Sequence, residues 1–323
     1  MLDHLSLPVR WTLLGVVLAL AFATLLVAVL RKRNANKDYT EVSLRLRTWW
    51  VIVGLFGLSL VVHETAAIAF LGFVSFLGLK EYLSLIPTRR ADRRVLFWAY
   101  LAIPIQYYLV YSEFYALFLI FIPIYMFMWL PTRMVMIGET NGFHRAIGTL
   151  HWGLMTTVFS LSHAAFLLVF EPAAEARFTH SWSAESAIAP GPALILLLIL
   201  LTQFNDVAQF CWGKAIGRIR VVPKVSPGKT LGGLLGGVAT TVALAGFMGP
   251  WLTFMDLERS LWAGLIVGLS GFAGDLSISA LKRDLGVKDS GSSLPGHGGI
   301  LDRVDSLTYT APLFFHFLYY CYG

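Results

Sequence analysis

The sequence predicts an all-α integral membrane protein that crosses the bilayer about nine or ten times. Of its 323 residues, 57% are hydrophobic and only 14% are charged, and the mean hydropathy is +0.68. A soluble domain carries about 25% charged residues, so this much apolar surface does not fit one water-soluble core. The second observation is a series of apolar runs near the length that crosses a bilayer. The third is the position of the basic residues, nearly all of which fall in alternate loops.

Ten apolar runs give the candidate helices. The second and third runs are short and only His63, Glu64 and Thr65 separate them, so they form either two tilted helices or one broken element. The fourth and fifth runs form a helical hairpin, and membrane helices tolerate the internal prolines Pro104 and Pro123. The runs are residues 11–30, 49–62, 66–79, 95–111, 115–131, 148–170, 191–212, 231–250, 260–280 and 307–322.

The charged loops predict the orientation of these helices. With the N-terminus outside and ten crossings, all of the 25 basic residues except Arg10, Arg177 and Arg259 fall on the inner side. This is the positive-inside pattern of membrane proteins. The predicted outer loop 171–190 carries three glutamates instead. Signal peptides carry their positive charge before the apolar run, whereas here Arg31, Lys32 and Arg33 follow the first run, which indicates a retained helix and not a signal peptide.

The overall charge and the cysteines exclude other classes of protein. Basic loops beside anionic lipid explain the net charge of +6, so no nucleic acid partner is predicted. Cys211 and Cys321 belong to no CxxC or Cys/His cluster and lie near opposite faces, which argues against a zinc site and a disulfide. We expect a single membrane domain over 1–323, with a helical scaffold at 1–200 and the polar motifs at 201–323.

Two segments, 205–237 and 271–306, are far more polar than the rest of the chain. Asp275 lies in the last third of an otherwise apolar helix, where an ionisable side chain costs about 2.5–3.5 kcal/mol unless something stabilises it. Ser279 and Lys282 follow at helical spacing and share its face. The sequence therefore indicates either a functional site around Asp275 or a structural Asp275–Lys282 ion pair.

Asp302 and Asp305 are three residues apart at the predicted start of the last helix, so both carboxylates share a face. Together with Asp275 they would form a site of hard oxygen ligands, which Mg²⁺ prefers. Acidic residues also favour helix N-termini, so capping is the alternative role for one of the two.

Two loops of these segments have features that favour the binding of an anion such as phosphate. Glycines flank His297 and let backbone N–H groups approach a phosphate, although a plain turn would use them too. Ser226, Lys229 and Thr230 precede a helix N-terminus, which also favours anions, although positive-inside topology alone explains the charge. Asp206 is a further acid near the end of an apolar helix.

Residues 279–305 resemble the signature of the phosphatidate cytidylyltransferases, also called CDP-diacylglycerol synthases. The upstream motif resembles that family's second motif, which usually reads Ser-Pro-Lys-Lys-Thr-Trp-Glu-Gly, but Gly228, Leu231 and Gly232 depart from it and suggest a divergent bacterial-type member. The residues that carry the resemblance are Ser226, Pro227, Lys229, Thr230, Ser279, Lys282, Arg283, Lys288, Asp289, Leu294, Pro295, His297, Gly298, Gly299, Asp302, Arg303 and Asp305.

The resemblance implies a reaction in which CTP and phosphatidic acid give CDP-diacylglycerol and pyrophosphate. It also implies Mg²⁺, with K⁺ as a companion ion, and a homodimer. The placement of the basic residues predicts an active site on the cytoplasmic face of a bacterial inner membrane. By this resemblance Asp275, Lys282, Asp302 and Asp305 are catalytic, and the three acids are metal ligands. The substrate-binding residues implied are Ser226, Lys229, Thr230, Ser279, Arg283, Lys288, Asp289, His297, Gly298, Gly299 and Arg303.

Two other functions remain open from the sequence. One is another CTP-using lipid enzyme, such as a polyprenol kinase. The other is a transporter of phosphorylated lipid, which would have acids along a path and inverted repeats. We find neither of these features in the sequence; the polar residues concentrate at one predicted face.

Overall fold

The computed structural model describes residues 4–34, 38–87, 93–173 and 190–323, and every regular element in these ranges is helical. Most of the outer loop predicted at 171–190 therefore lies outside the described residues. The helices are α1 (Leu7–Arg33), α2 (Thr40–Val62), α3 (Glu64–Leu85), α4 (Arg93–Tyr111), α5 (Tyr115–Val135), α6 (Phe143–Val169), α7 (Gly191–Ile216), α8 (Leu231–Leu252), α9 (Leu257–Asp284), the single turn α10 (Leu301–Val304) and α11 (Leu307–Tyr322).

Eight of the described helices are long and apolar enough to cross a membrane, namely α1 to α3 and α5 to α9. The two other predicted crossings do not meet that criterion, because α4 begins with Arg93 and Arg94 and α11 has only 16 residues. The large apolar side chains of α1, such as Trp11, Leu18 and Phe22, are exposed. An apolar face of this size is stable against lipid rather than water. The prediction of a polytopic membrane protein is confirmed.

His63 separates α2 from α3. Its backbone is extended, with φ −174° and ψ 155°, and its ring Nδ1 accepts a hydrogen bond of 3.2 Å from the N–H of Thr65 at the start of α3. The range 49–79 therefore forms parts of two separate helices and not one broken element. Helix α2 begins at Thr40 rather than at 49, because its first turns are polar and apolar runs do not reveal them.

The two prolines expected inside helices, Pro104 and Pro123, lie there. Pro104 is an interior residue of α4, and Pro123 lies in a π-helical stretch of α5 at Phe121–Met126. A proline removes one backbone donor and crowds the preceding turn, and a locally wider helix is a common way to accommodate such a disruption. Both helices continue past the proline.

Close helix contacts bring the polar ends of α7, α8, α9 and α11 together. A methyl group on Gly237 of α8 would overlap with Gln209 of α7. A methyl group on Gly274 of α9 would come within 2.7 Å of the carbonyl oxygen of Asp305, just before α11. Small residues at such contacts let helix backbones approach closely in a membrane. The polar segments 205–237 and 271–306 meet in this region.

We expect Gly274→Ala to destabilise the protein by about 1–3 kcal/mol, because the new methyl group would press on backbone atoms that cannot rotate away. The control is Gly54→Ala in α2, where the added methyl group meets nothing within 4 Å. That change should leave the stability unchanged or raise it by up to about 1 kcal/mol through helix propensity. Thermal unfolding in detergent, followed by tryptophan fluorescence, measures both variants. Equal melting temperatures would contradict the close α9–α11 contact.

Candidate active site

Lys229 and Asp275 form the first ion pair of the site. The Nζ atom of Lys229, in the loop before α8, lies 2.6 Å from Oδ2 of Asp275, and the two side chains are 19% and 20% exposed. The hydroxyl of Ser279 donates to Oδ1 of Asp275 over 3.1 Å, and Nζ of Lys229 also donates to the amide oxygen of Gln209 over 2.9 Å. The partner of Asp275 is therefore Lys229, and the alternative of an ion pair with Lys282 was wrong.

The backbone of the loop before α8 fixes the position of Lys229. The N–H of Val221 donates to the carbonyl of Lys229 over 3.1 Å, and the N–H of Lys229 donates to the carbonyl of Ser226 over 3.2 Å. Thr230 is the N-cap of α8, since its hydroxyl accepts the N–H of Gly233 at 3.1 Å. Ser226 and Thr230 thus shape the loop that directs Lys229 toward α9.

Two further acids, Asp206 and Asp305, lie beside this pair. Asp305 follows α10, and Asp206 of α7 accepts the hydroxyl of Ser306 at 3.1 and 3.0 Å from its two oxygens. Burial, together with the negative charges of Asp275 and Asp206, raises the pKa of Asp305 above its usual range. Like charges raise a carboxyl pKa when no cation balances them. Asp206 and Asp275 are therefore close enough to Asp305 to oppose its ionisation.

Asp302 and Lys282 form a second ion pair, which is more deeply buried. Nζ of Lys282 donates to Oδ1 of Asp302 over 2.7 Å, and the N–H groups of Ser290 and Gly299 donate to Oδ2 over 2.8 and 3.0 Å. Burial alone would raise the pKa of Asp302, but these three donors outweigh it and lower the pKa below its usual range. Asp302 thereby connects the loop of residues 288–301, the motif loop, to the end of α9.

The motif loop contains a tight turn. Leu294 and Gly298 pair through an antiparallel bridge, and Gly296 and Gly298 have φ values of 76° and 78°, which side chains other than glycine rarely adopt. His297 lies between these glycines, with its ring edge-on to Trp49 of α2 at 5.9 Å between centroids. The glycines are therefore required by the turn itself, whatever else the turn binds.

Two side chains of helix α2 donate hydrogen bonds to the backbone of this turn. The hydroxyl of Thr48 donates to the carbonyl of Pro295 over 2.8 Å, and Nε of Arg45 donates to the carbonyl of Gly296 over 3.1 Å. These residues come from the N-terminal scaffold and were not among the predicted site residues. The N-terminal helices thus take part in building the site.

Other predicted substrate-binding residues lie on the exposed side of the site. Arg283, Lys288, Asp289 and Arg303 are exposed, and Nε of Arg283 donates to a carbonyl of the loop before α8 over 3.1 Å. Burial and the nearby positive charge of Arg303 lower the pKa of His297, which favours the neutral imidazole at pH 7. The structure thus brings the two predicted motif segments together around the end of α9.

Glu81 of α3 is the main residue that the sequence reasoning missed. Its carboxylate accepts hydrogen bonds from the hydroxyls of Ser290 and Ser293, at 3.1 and 3.2 Å, and from the N–H of Leu301, at 2.7 Å. A signal was present, because Glu81 is an ionisable residue near the end of an apolar helix. The same criterion singled out Asp275.

The acids suit a divalent cation only in part. In the ranges that the structure describes, no three acidic, histidine or cysteine side chains lie close enough to share one metal ion. Asp275 and Asp305 nevertheless lie near one another and near Asp206, so a bound cation would lower the repulsion among these acids. Asp302 already accepts three hydrogen bonds. The acids near one another could contribute to a metal site, and the metal roles of Asp275, Asp302 and Asp305 stay predictions.

The fold and the site together define a helical membrane protein with paired lysines and aspartates where its C-terminal helices meet. The chain belongs to the cytidylyltransferase family, whose model matches residues 43–321. The resemblance of the sequence to phosphatidate cytidylyltransferases is thereby confirmed at the level of the family.

Individual relatives agree with this family. The chain is 45% identical over 302 residues to a protein of Escherichia coli (strain K12) named "Uncharacterized protein YnbB", which covers 94% of this chain and 95% of that protein. It is 39% identical over 141 residues to a phosphatidate cytidylyltransferase of Synechocystis, covering 43% of this chain and 47% of that one. It is 37% identical over 159 residues to a phosphatidate cytidylyltransferase of Staphylococcus aureus, covering 48% and 59%. The chain therefore matches about half the length of these named enzymes.

The departures from the family's second motif have different surroundings. A side chain at Gly228 would extend into open space, and Leu231 is 39% exposed. A Cβ atom at Gly232 would lie 3.1 Å from the carbonyl oxygen of Ile216, so a glutamate there would require the end of α7 to shift. Gly228 thus replaces a cation of the family motif at the rim of the site, and Gly232 allows the close α7–α8 contact of this chain.

Proposed function

We propose that the protein transfers CMP from CTP to phosphatidic acid, forming CDP-diacylglycerol and pyrophosphate. The observation that carries this proposal is the pairing of Lys229 with Asp275 and of Lys282 with Asp302 at the end of α9. Phosphoryl and nucleotidyl transfer depend on fixed cations that neutralise phosphate oxygens and on acids that hold a metal ion. The two motif segments contribute both kinds of group to one place.

In the proposed reaction an oxygen of the lipid phosphate attacks the α-phosphorus of CTP. The new P–O bond forms as the bond to the β-phosphate oxygen breaks, and pyrophosphate leaves with that electron pair. The attacking phosphate oxygen is already anionic, so the protein does not need a strong general base. Its task is to position the two substrates and to neutralise charge that develops on the leaving group.

The positions of the side chains suggest a division of these tasks. Lys229 lies within reach of water beside Asp275, where its ammonium group can bind a phosphate oxygen. Arg283, Lys288 and Arg303 are exposed around the motif loop, which suits them to the triphosphate and the lipid headgroup. Lys282 is committed to Asp302 and keeps the motif loop at the end of α9. Neutral His297 offers a hydrogen bond rather than a charge.

A metal ion, a second subunit and a membrane face belong to the same proposal. Mg²⁺ held by Asp275 and Asp305, with Asp302 as the further predicted ligand, would neutralise the developing phosphate charge. K⁺ and a homodimer follow from the family resemblance alone. We place the site at the cytoplasmic face of a bacterial inner membrane, since the basic residues of both motif segments favour that side.

Purified protein in lipid nanodiscs, supplied with Mg²⁺ and phosphatidic acid, tests this function. With CTP labelled at the α-phosphorus, the label should enter the lipid fraction. With CTP labelled at the γ-phosphorus, it should appear only in pyrophosphate. Replacing phosphatidic acid by diacylglycerol or a polyprenol is the control, and neither should take up label. Transfer of the γ-phosphate to an alcohol would show a lipid kinase instead and would refute the proposal.

A further inference from the structure

Glu81 is a buried carboxylate, and its hydrogen-bond donors among the described residues all belong to the motif loop. It is 7% exposed and lies near the end of α3, and within the described ranges no lysine, arginine or histidine forms an ion pair with it. Buried carboxylates are stable only when hydrogen bonds replace their hydration. The hydroxyls of Ser290 and Ser293 and the N–H of Leu301 supply these bonds.

Ser290 connects Glu81 directly to Asp302. The hydroxyl of Ser290 donates to Oε2 of Glu81 over 3.1 Å, while its own N–H donates to Oδ2 of Asp302 over 2.8 Å. The N–H of Leu301, the residue before Asp302, donates to the same Oε2 over 2.7 Å. Two short connections therefore run between the carboxylates, and any displacement of Glu81 changes the support of Asp302.

Two glycines leave the space that Glu81 occupies. A Cβ atom on Gly291 or on Gly299 would overlap with Oε1 of Glu81. The carboxylate thus fills a backbone recess in the motif loop, which is a more specific arrangement than a polar side chain resting on a surface. Its position is fixed by donors and by shape together.

We propose that Glu81 is a positioning residue: through it, α3 sets the motif loop and thereby the Lys282–Asp302 pair. For its effect on turnover the proposal rests on the proposed function. The role requires hydrogen-bond acceptance and not a negative charge at the reacting atoms. Glutamine can direct its oxygen to Ser290 and Leu301 and its amide group to Ser293, whose hydroxyl can rotate to accept it.

Variants of Glu81 separate these roles. Glu81→Leu should lower kcat for CMP transfer by about 100-fold, the effect of displacing a catalytic group by about 1 Å. The KM for CTP should change by no more than about threefold, since Glu81 contacts no substrate. Glu81→Gln should keep kcat within about fivefold of the wild type, because its oxygen still accepts hydrogen bonds. Equal losses in both variants would show that charge is needed and would overturn the proposal.

The two serines provide a matched pair, because both donate to Glu81 but only Ser290 continues to Asp302. Ser290→Ala should lower kcat by about tenfold, and Ser293→Ala by less than about twofold. In the Glu81→Leu background, Ser290→Ala should cause no further loss, since their shared interaction is already absent. A larger effect at Ser293, or full additivity, would refute the connection through Ser290.

Hydrogen exchange tests the same proposal without any substrate. In nanodiscs, Glu81→Leu should speed amide exchange at Ser290, Gly299 and Leu301, while exchange in the α8–α9 turn at 253–256 stays unchanged. Unchanged exchange in the motif loop would overturn the positioning role. If the wild-type protein transfers no CMP but the exchange rises as expected, the proposed function fails and the positioning role of Glu81 stands.

Discussion

Replacing Asp302 by asparagine is expected to lower the rate of CMP transfer by about 1,000-fold. The amide can direct its oxygen to the N–H groups of Ser290 and Gly299, but its NH₂ group then faces the ammonium of Lys282. Losing one partner of a buried ion pair should also cost about 3 kcal/mol of stability. Initial rates with labelled CTP, together with melting temperatures in the same detergent, measure both effects.

A second substitution separates the catalytic from the structural part of this loss. In the double variant Asp302→Asn with Lys282→Met, the repulsion between two donors is gone. The double variant should therefore recover most of the lost melting temperature, while its turnover remains as low as that of Asp302→Asn. Wild-type turnover in Asp302→Asn would refute a catalytic role for this carboxylate. Recovery of turnover in the double variant would show that its role is only structural.

Asp275→Asn is expected to reduce CMP transfer by about 100-fold or more. The substitution removes one of the converging negative charges and leaves Lys229 without its ionic partner at 2.6 Å. Lys229→Met should cause a loss of similar size, and the two changes together should cost less than the product of the single effects. Turnover under saturating CTP measures all three variants, and independent, multiplicative losses would contradict a shared function of the pair.

Asp256→Asn is the matched control for Asp275→Asn, because Asp256 begins the same helix at its other end. Its carboxylate caps α9 by accepting the N–H of Arg259 at 2.8 Å and forms an exposed ion pair with the same arginine. Turnover should stay within about twofold of the wild type, since exposed ion pairs contribute little. A loss comparable to that of Asp275→Asn would show that any change of charge on α9 impairs the protein.

The apolar runs located the membrane helices well because burial in lipid demands continuous apolar sequence. They failed where helices are polar. Helix α2 begins with polar turns at Thr40–Thr48, and α4 begins at Arg93. These turns are helical but do not form a continuous apolar run. The division of α2 from α3 at His63 depends on one extended residue, which periodicity does not detect.

The sequence predicted those site residues whose charge is unfavourable in an apolar helix. It did not predict contacts between residues that are far apart in the chain. Asp275 was recognisable because an ionised carboxylate in an apolar helix is unfavourable unless a partner or a function stabilises it. Its partner was not, because Lys229 reaches it from a loop 46 positions earlier in the chain and helical spacing favoured Lys282. Likewise, Thr48 and Arg45 donate hydrogen bonds to carbonyl groups of the motif loop. Such bonds to backbone oxygens cannot be predicted from a pattern of side chains.

Because the motif loop contacts α2 and α3, it cannot be moved into another protein without those helices. Five hydrogen bonds join it to the N-terminal helices, three at Glu81 and one each at Thr48 and Arg45. A chimera that carries only residues 201–323 into another scaffold would leave those donors and acceptors unmatched, at a cost for each buried group. Exchange between relatives that match over half their length therefore has to include the facing turns of both helices.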